Sequence, residues 1–429
     1  MNTNELYVSL DMGTSTIKVI IGSMAADSLN IIGVGNAKAE GIKKGAIVDI
    51  DETVHSIKRA VEQAERMIGM KINNCIVGIA GNHVSLMPCH GVVAVSSQNR
   101  EITNDDVARV MDAAQVVSIP PEREIINVIP GQFVVDGLEE ITDPRGMIGV
   151  RLEMEGTIVT GAKSILHNTL RCVERAGLEI TDIVLQPLAA ASIALSKDER
   201  QMGSALIDIG GGSTTVAVFA NGSIAGTSVI PVGGDHITKD LSIGLRTATD
   251  DAEKIKILYG HAFYDHASEE EVFSVPIIGS DQHQQFNQLE LSDIIEARME
   301  EIFELVQQEF KRMGIADLPG GFVLTGGVSN MPGVAELAQM VFQNRVRIAI
   351  PDYIGVREPQ YTTAVGLINY AYHEAKLQGR NISASPVQLP IDADDARISG
   401  GHQPKKKDGK DPDAKISTKV KKFFGYFFE

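Results

Sequence analysis

Two segments of the chain show the same order of polar and apolar positions, although about 200 residues separate them. Residues 5–22 predict a strand, a tight turn and a second strand, because apolar positions alternate or cluster on both sides of a short turn. Residues 204–222 repeat the pattern. In both segments an Asp ends the first strand, and glycine and hydroxyl residues fill the turn. We expect a duplicated half-domain, with both turns facing one central cleft.

Between these segments the apolar period lengthens to that of helices. In residues 51–69 apolar side chains recur every three or four positions, and Asp51 is the predicted helix cap. A third strand near residues 29–36 precedes this helix, and a short buried strand at residues 75–81 follows it. Strands that alternate with a helix in this way predict an α/β domain. Further helices are expected at residues 105–116, 163–177, 250–260, 291–314 and 361–373, and a strand running into a helix at 180–195.

Two insertions interrupt this α/β pattern. The first, residues 83–161, predicts short strands with one helix, and the second is mostly helical. Residues 380–414 are rich in Pro, Ser, Asp and Lys, which is typical of a flexible linker. The predicted organisation is a first-lobe core at 1–82 completed by 162–195 and 359–379, an inserted subdomain at 83–161, a second-lobe core at 196–230 and 306–358, a helical subdomain at 231–305, a linker at 380–414 and a terminal helix at 415–429.

Composition adds a contrast between the body and the end of the chain. Of 429 residues, 43% are hydrophobic, which is enough for a sizeable core. The net charge of −17 argues against a general nucleic-acid-binding protein, which needs a basic surface. Residues 403–429 carry eight Lys against three Asp and one Glu, so this end is +4 and the remainder is −21. Its last seven residues also hold five of the 21 Phe and Tyr.

The sequence gives no sign of export or membrane spanning. The N-terminus is polar and then strand-like, which predicts no signal peptide, and no run of 18 apolar residues occurs. The three cysteines, Cys75, Cys89 and Cys172, lack metal-ligand spacing, so we expect inert apolar thiols in a reducing compartment.

The repeated turns have the chemistry of a phosphate site. Glycines permit close approach of a ligand to the backbone, whose N–H groups can then bind phosphate oxygens. An Asp at a strand end can hold hydrated Mg²⁺, which prefers oxygen ligands and keeps several waters. A Walker loop is absent from the sequence, which excludes a P-loop NTPase.

These motifs resemble those of the actin, Hsp70 and sugar-kinase superfamily. Its two phosphate motifs resemble LDMGTSTIK (10–18) and LIDIGGGST (206–214), and its adenosine motif resembles FVLTGGVSNMPG (322–333). Its two connecting helices resemble the segments DIVLQPLAAA and TTAVGLINYA. The first helix follows the third strand almost directly, and the insertion comes after the fourth strand. That arrangement is similar to the FtsA family of bacterial cell-division proteins. The resemblance implies an α/β, two-lobed actin-like ATPase fold of duplicated ribonuclease-H-like domains, followed by a flexible linker and an amphipathic helix.

The resemblance also implies a nucleotide site for ATP and Mg²⁺. Asp11 and Asp208 would orient the hydrated metal, and Gln186 would position a water, with weak ATP hydrolysis at most. Because Gln186 precedes Pro187, the alternative for Gln186 is a structural role. The alternative for Glu253 and Lys256 is an ordinary solvated helix pair. The implied nucleotide-binding residues are Gly13, Thr14, Ser15, Thr16, Lys18, Gly210, Gly211, Gly212, Ser213, Thr214, Glu253, Lys256, Gly326, Gly327, Val328 and Ser329.

The charged aromatic end predicts an amphipathic helix that binds membranes. At 15 residues it is too short to span a bilayer but long enough to lie in its interface. Its apolar residues fall on one stripe, with lysines beside it to meet anionic lipid, although docking on the body or on a partner is an alternative. The predicted membrane-binding residues are Ile416, Val420, Phe423, Phe424, Phe427, Phe428, Lys415, Lys419 and Lys422.

By resemblance, the protein would polymerise at the division site, on the cytoplasmic face of the inner membrane. It would tether FtsZ filaments there by binding the FtsZ C-terminal peptide, with Arg298 as a basic contact or alternatively a surface charge. The 83–161 subdomain would contact later division proteins. Two other interpretations are a soluble sugar-kinase or Hsp70-type enzyme, and a pilus-assembly actin homologue that lacks the terminal helix.

Overall fold

A computed structural model describes residues 5–25, 27–280, 283–315, 317–383 and 387–388. The predicted terminal helix lies outside these residues, as does most of the predicted linker. Within them, the strands are β1 (Glu5–Met12), β2 (Thr16–Ala25), β3 (Ser28–Lys38), β4 (Ile42–Lys43), β5 (Ala46–Ile47), β6 (Met70–Lys71), β7 (Asn74–Ile79), β8 (Ser85–Ala94), β9 (Arg123–Val135), β10 (Leu138–Ile141), β11 (Arg151–Ala162), β12 (Glu179–Leu185), β13 (Ser204–Ile209), β14 (Thr214–Ala220), β15 (Ser223–Ile230), β16 (Val272–Pro276), β17 (His283–Asn287), β18 (Gly321–Thr325), β19 (Val346–Ile348) and β20 (Val387–Gln388).

Ten α-helices lie among the described residues, together with three 3₁₀ turns at 264–266, 327–330 and 359–361. The α-helices are α1 (Ile50–Ile68), α2 (Asn104–Ala114), α3 (Lys163–Arg175), α4 (Gln186–Ala194), α5 (Lys197–Met202), α6 (Gly234–Gly244), α7 (Thr249–Tyr259), α8 (Gln288–Arg312), α9 (Val334–Phe342) and α10 (Thr362–Leu377).

The two lobes contain sheets of the same topology. In the first lobe the order is β12-β7-β1-β2-β3, in which β1, β2 and β3 are antiparallel neighbours and β7 and β12 run parallel to β1. In the second lobe β15-β14-β13-β18-β19 has the same sequence of antiparallel and parallel pairings. The internal repeat predicted from the sequence is therefore confirmed, and it is a duplication of a whole five-stranded sheet.

The inserted subdomain follows β7, the fourth strand of the first sheet. It forms a separate antiparallel sheet in the order β10-β9-β11-β8, with α2 packed on one face. The prediction of short strands here was wrong, because β8, β9 and β11 contain 10, 13 and 12 residues. Pro88 and Pro130 lie within β8 and β9, and these prolines obscured the strand pattern in the sequence.

The helical subdomain of the second lobe lies between β15 and β18. Helices α6, α7 and the 25-residue α8 pack around a shared core that includes Phe303 and Met299. The β16–β17 hairpin was not predicted in this mostly helical stretch. Helix α8 extends through residue 305, at which the predicted helical subdomain ends.

The N-cap of helix α1 lies two residues before the predicted cap. Asp49 has an extended backbone and its carboxylate accepts a hydrogen bond from the Glu52 N–H, so Asp49 is the N-cap. Asp51 lies instead in the first turn, where an acidic side chain is favoured by the helix dipole. All three cysteines are buried with free thiols, as predicted.

Two helices connect the lobes and cross each other closely. Helix α4 follows β12 of the first lobe, and α10 returns from the second lobe to pack on the first sheet, where the Ala364 carbonyl accepts a hydrogen bond from Ser9 Oγ at 2.6 Å. Gly366 of α10 lies directly on α4, since a Cβ added to it would be 2.0 Å from the Ala189 carbonyl oxygen. Among the described residues, no helix combines the length and the apolar character that bilayer crossing requires.

Candidate functional site

A cavity of about 470 Å³ lies between the two lobes. The β1–β2 turn enters it from the first lobe and the β13–β14 turn from the second, as the duplicated sequence pattern predicts. Two further segments close its sides, namely the start of α6 with the facing part of α7, and the segment after β18. The predicted residues that line it are Asp11, Gly13, Thr14, Ser15, Thr16, Lys18, Gln186, Asp208, Gly210, Gly211, Ser213, Glu253, Lys256, Gly326, Gly327 and Val328.

The first-lobe turn is held in shape by its own backbone. The Gly13 N–H donates a hydrogen bond to the Thr16 carbonyl at 3.0 Å, which closes the turn. Asp11 is buried at the end of β1, where Lys18 Nζ lies 3.7 Å from its carboxylate. Gln186, at the start of α4, donates from Nε2 to Asp11 Oδ1 at 2.7 Å. Two side chains of the β1–β2 hairpin and one from a distant helix thus form one hydrogen-bonded and ionic group.

The second-lobe turn has equivalent geometry. The Gly210 N–H donates to the Ser213 carbonyl at 3.0 Å, as Gly13 does in the first turn. At Gly211 a Cβ would lie 1.9 Å from Ser15 Oγ, so a larger residue would collide with the opposite lobe. The glycine is therefore required by the close approach of the two turns.

The two turns contact each other directly across the cleft. The Gly212 N–H donates a hydrogen bond to Thr14 Oγ1 at 3.0 Å. Ser15 Oγ donates to the carboxylate of Asp235, at 3.3 Å from Oδ1 and 3.4 Å from Oδ2. Backbone and hydroxyl groups of the kind that bind phosphates are therefore partners of each other in this structure.

Asp208 occupies a position in the second lobe that corresponds to Asp11 in the first. Burial, with the nearby charge of Asp11, raises the pKa of Asp208 to about 6. Thr363 Oγ1 donates to Asp208 Oδ2 at 3.2 Å. Gly326 has a φ of +89°, and a Cβ there would lie 2.3 Å from Asp208 Oδ1, so only glycine fits beside this carboxylate.

Glu253 and Lys256 form an ion pair at the far wall of the cleft. Lys256 Nζ lies 2.6 Å from Glu253 Oε2, 2.8 Å from Thr238 Oγ1 and 3.1 Å from the Gly234 carbonyl. The lysine is only 7% exposed. A fully solvated helix pair would not bury its lysine, although the Glu253 side chain is 42% exposed.

Three predicted residues do not line the cavity. Thr214 Oγ1 donates to the Val232 carbonyl at 2.8 Å, and Ser329 Oγ donates to the Thr325 carbonyl at 2.6 Å. Both side chains are buried and satisfied by the backbone. Gly212 contributes its N–H to the contact with Thr14 and is not itself among the lining residues.

The cavity also includes residues that were not predicted from the sequence. They are Thr215, Gly234, Asp235, Ile257, Gly260, Asn330, Met331, Pro332, Glu358, Gln360 and Thr363. Asp235 follows the Gly233–Gly234 pair, and glycines directly before a helix are a signal that could have identified it. Of the described residues, none form a cluster of three or more His, Cys, Asp or Glu side chains that could hold a metal directly.

Arg298 lies on α8, outside the cleft. Its Nε donates to Asp240 Oδ2 at 2.6 Å and its Nη2 to Asp240 Oδ1 at 3.1 Å, while Nη1 pairs with Glu301. The guanidinium is thus shared between two carboxylates of its own chain. The predicted membrane-binding residues, 415–428, lie outside the described residues.

Family models match two parts of the chain. The model described as cell division protein FtsA matches residues 205–366, and the model of the SHS2 domain inserted in FtsA matches residues 81–160. Cell division protein FtsA of Bacillus subtilis (strain 168) is 65% identical over 382 residues, covering 89% of this chain and 87% of that one. The chain belongs to the FtsA family. FtsA of Enterococcus hirae is 41% identical over 437 residues and covers 99% of both chains.

Solved structures show that this FtsA-family chain has an actin-like fold. A PilM–PilN complex of type IV pilus biogenesis matches with a TM-score of 0.57 at 14% identity, covering 84% of this chain and 97% of that chain. MreB5 of Spiroplasma citri bound to AMPPNP matches with a TM-score of 0.54 at 13% identity, covering 87% and 99%. At these identities the likeness concerns the fold alone. Because the chain belongs to the FtsA family, the sugar-kinase and pilus-assembly interpretations do not apply to it.

Proposed function

We propose that this chain is an ATP-binding, self-assembling cell-division protein that tethers FtsZ filaments to the cytoplasmic face of the inner membrane. The observation that carries the nucleotide part is the pair of duplicated turns that face each other across one cavity. Both turns supply glycine backbone and hydroxyl groups where a phosphate chain would enter. The solved structure of MreB5 bound to AMPPNP, which has the same fold, supports a nucleotide as the ligand.

The side chains of the cleft fit a hydrated Mg²⁺ accompanying the nucleotide. Asp11 and Asp208 present carboxylate oxygens from equivalent strand ends, and they would hold through water an ion that keeps several of its waters. When bound, the metal would neutralise phosphate charge. Gln186 is held by Asp11 at 2.7 Å and would orient a water beside the phosphates, while Glu253 and Lys256 would bind the nucleoside. Because the side chain that would orient this water is an amide and not a strong general base, we propose slow hydrolysis at most.

The membrane part of the proposal rests on the sequence of residues 415–429 and on the family. One apolar stripe with flanking lysines favours a bilayer interface over a protein core. Burial of each apolar side chain contributes roughly 1.5–3 kcal/mol, and each lysine near anionic lipid about 1 kcal/mol. A single tail would therefore bind reversibly, and an assembly of many copies would bind firmly.

The proposed partners are the FtsZ C-terminal peptide, other copies of this chain, anionic lipids and later division proteins. Arg298 would contact the FtsZ peptide, and the 83–161 subdomain would contact later division proteins and neighbouring copies. The family assignment to cell division supports this set of partners.

Co-sedimentation with anionic vesicles and electron microscopy of lipid monolayers test the proposal. With Mg-ATP, the full chain should pellet and form filaments, whereas a truncation ending at Asp413 should stay in solution. Phe423→Glu combined with Phe427→Glu should behave like the truncation, because charge on the apolar stripe opposes insertion. Undiminished pelleting of the truncated chain, or monolayers without filaments, would contradict it.

A further inference from the structure

Asp235 is placed at the phosphate end of the cleft by contacts with both lobes. It lies in the first turn of α6, where its N–H donates to the Gly211 carbonyl at 2.8 Å and the preceding Gly234 N–H donates to the Gly210 carbonyl at 2.9 Å. Its carboxylate accepts the hydrogen bond from Ser15 of the opposite turn. Helix α6 therefore abuts one glycine turn while its acidic side chain reaches the other.

The charges that line the cavity are unbalanced. Five carboxylates face two lysines, an excess of three negative charges when all are ionised. Both lysines already have partners, since Lys18 pairs with Asp11 and Lys256 with Glu253. The described lining residues thus offer a phosphate chain no unpaired lysine or arginine. The five carboxylates are those of Asp11, Asp208, Asp235, Glu253 and Glu358.

Asp235 differs from the other carboxylates at the phosphate end of the cleft. Asp11 has a lysine and an amide as partners, and Asp208 accepts from Thr363 and has a raised pKa. Asp235 is exposed in the cleft and forms no ion pair among the described residues. The positive end of the α6 dipole, which would attract a phosphate, has this carboxylate in its first turn.

We propose that Asp235 makes the cleft selective for metal-complexed nucleotide over free nucleotide. An uncomplexed triphosphate brings about four negative charges to this carboxylate, and its metal complex brings about two fewer, so repulsion penalises the free form more. This inference rests on the proposed nucleotide site and assigns to Asp235 a role in choosing the form of ligand that enters it.

Titration of the full chain with ATP, in excess Mg²⁺ and in excess EDTA, measures this selectivity. The measure is the ratio of the Kd in EDTA to the Kd in Mg²⁺. In Asp235→Asn the metal-free Kd should fall about threefold or more, which reflects one removed charge at roughly 4–6 Å in water, while the Kd in Mg²⁺ changes less. The ratio should therefore shrink. Raising the ionic strength should shrink the wild-type ratio as well, because the repulsion is screened.

Asp105→Asn removes the same charge from an exposed position in the inserted subdomain and should leave the ratio at its wild-type value. Asp235→Ser is a second neutral variant that keeps a short polar side chain near the helix start, and it should behave like Asp235→Asn. An unchanged ratio in both Asp235 variants, or a weaker Kd in EDTA, would overturn the inference while leaving the nucleotide site intact. Absence of wild-type binding in both conditions would overturn the nucleotide site and the inference together.

Discussion

The backbone N–H of Gly212 donates a hydrogen bond to the hydroxyl of Thr14, 198 residues away and on the opposite lobe. Each of these groups belongs to a turn whose chemistry suits phosphate. In this structure they satisfy each other, so the contact both links the two turns and occupies a donor that a phosphate oxygen would use. A phosphate bound at the Gly212 N–H, as proposed above, would replace this hydrogen bond.

Removal of the Thr14 hydroxyl should release the Gly212 N–H. In Thr14→Val, which preserves the branched shape, we expect faster hydrogen exchange at Gly212 in nucleotide-free protein, reflecting a lost hydrogen bond of about 1 kcal/mol. Thr14→Ser keeps the hydroxyl and should exchange like the wild type. Native-state exchange measured by NMR distinguishes the variants, and equal rates in all three proteins would contradict a role for this contact in solution.

The affinity for Mg-ATP should depend on pH through Asp208. Its pKa is raised to about 6, so the carboxylate is largely protonated below that pH and cannot hold the waters of a metal. We expect the Kd measured in Mg²⁺ to increase as the pH falls below about 6, by up to tenfold per unit.

In Asp208→Asn the Kd should be higher at neutral pH, by about tenfold, and nearly constant from pH 7.5 to 5.5. Calorimetric titration across this range is the measurement. A wild-type pH profile retained in the variant would assign the titration to another group.

A buried acidic cluster joins the inserted subdomain to the first lobe and should make stability depend on pH. Glu374 of α10 accepts a hydrogen bond from Asn127 of β9 at 3.3 Å. Burial, with the charge of nearby Asp182, raises the pKa of Glu374 to about 8. A carboxyl group with a raised folded-state pKa stabilises the protein fully below its unfolded pKa of about 4.5, and this contribution is lost as the pH rises towards 8.

Thermal unfolding at pH 5, 6.5 and 8 should show this loss, on the order of 1–3 kcal/mol across the window after relaxation of the buried site. Glu374→Gln cannot ionise and should flatten the profile, becoming relatively more stable towards pH 8. Identical slopes for the variant and the wild type would show that Glu374 does not titrate in this range.

The pairing of Arg298 with Asp240 allows the proposed FtsZ-peptide contact to be tested with one variant that should weaken binding and one that should strengthen it. Arg298→Ala should weaken binding of a synthetic FtsZ C-terminal peptide, since it removes a charge-assisted hydrogen-bond donor worth about 1.5–3 kcal/mol. Asp240→Asn releases part of the guanidinium from its intramolecular partner and should strengthen binding. Fluorescence anisotropy measures both. If Arg298→Ala lowers only the melting temperature, the residue braces α6 against α8 and does not bind peptide.

The fold could be predicted from the sequence where local pattern and duplication coincide. The strand–turn–strand repeat predicted the turns at Asp11 and Asp208, because strand periodicity and turn residues are local properties of the chain. The cleft contacts of Asp235, Thr363 and Gln360 were missed, because each depends on where a distant segment folds back. Asp235 meets Ser15 across 220 residues, and no local pattern reports such a distance.

Some local predictions also failed, for identifiable physical reasons. Asp51 was chosen as the cap of α1, although Asp49 has the extended backbone and the free carboxylate that capping requires. Ser329 and Thr214 lie in the motifs that suggested ligand contacts, but each hydroxyl is used by a nearby carbonyl. Residue type alone does not distinguish a hydroxyl that faces a cavity from one that closes a turn.

The crossing of α4 and α10 constrains how the two lobes can move relative to each other. Gly366 lies against the Ala189 carbonyl, so the helix backbones touch without an intervening side chain. Ser192 Oγ donates to the Ala189 carbonyl and also lies 3.3 Å from the Gly366 carbonyl oxygen. A relative motion of the lobes that separated the two helices here would break this backbone contact. A change in the spacing of the two glycine turns would therefore require the helices to pivot on this contact rather than to come apart.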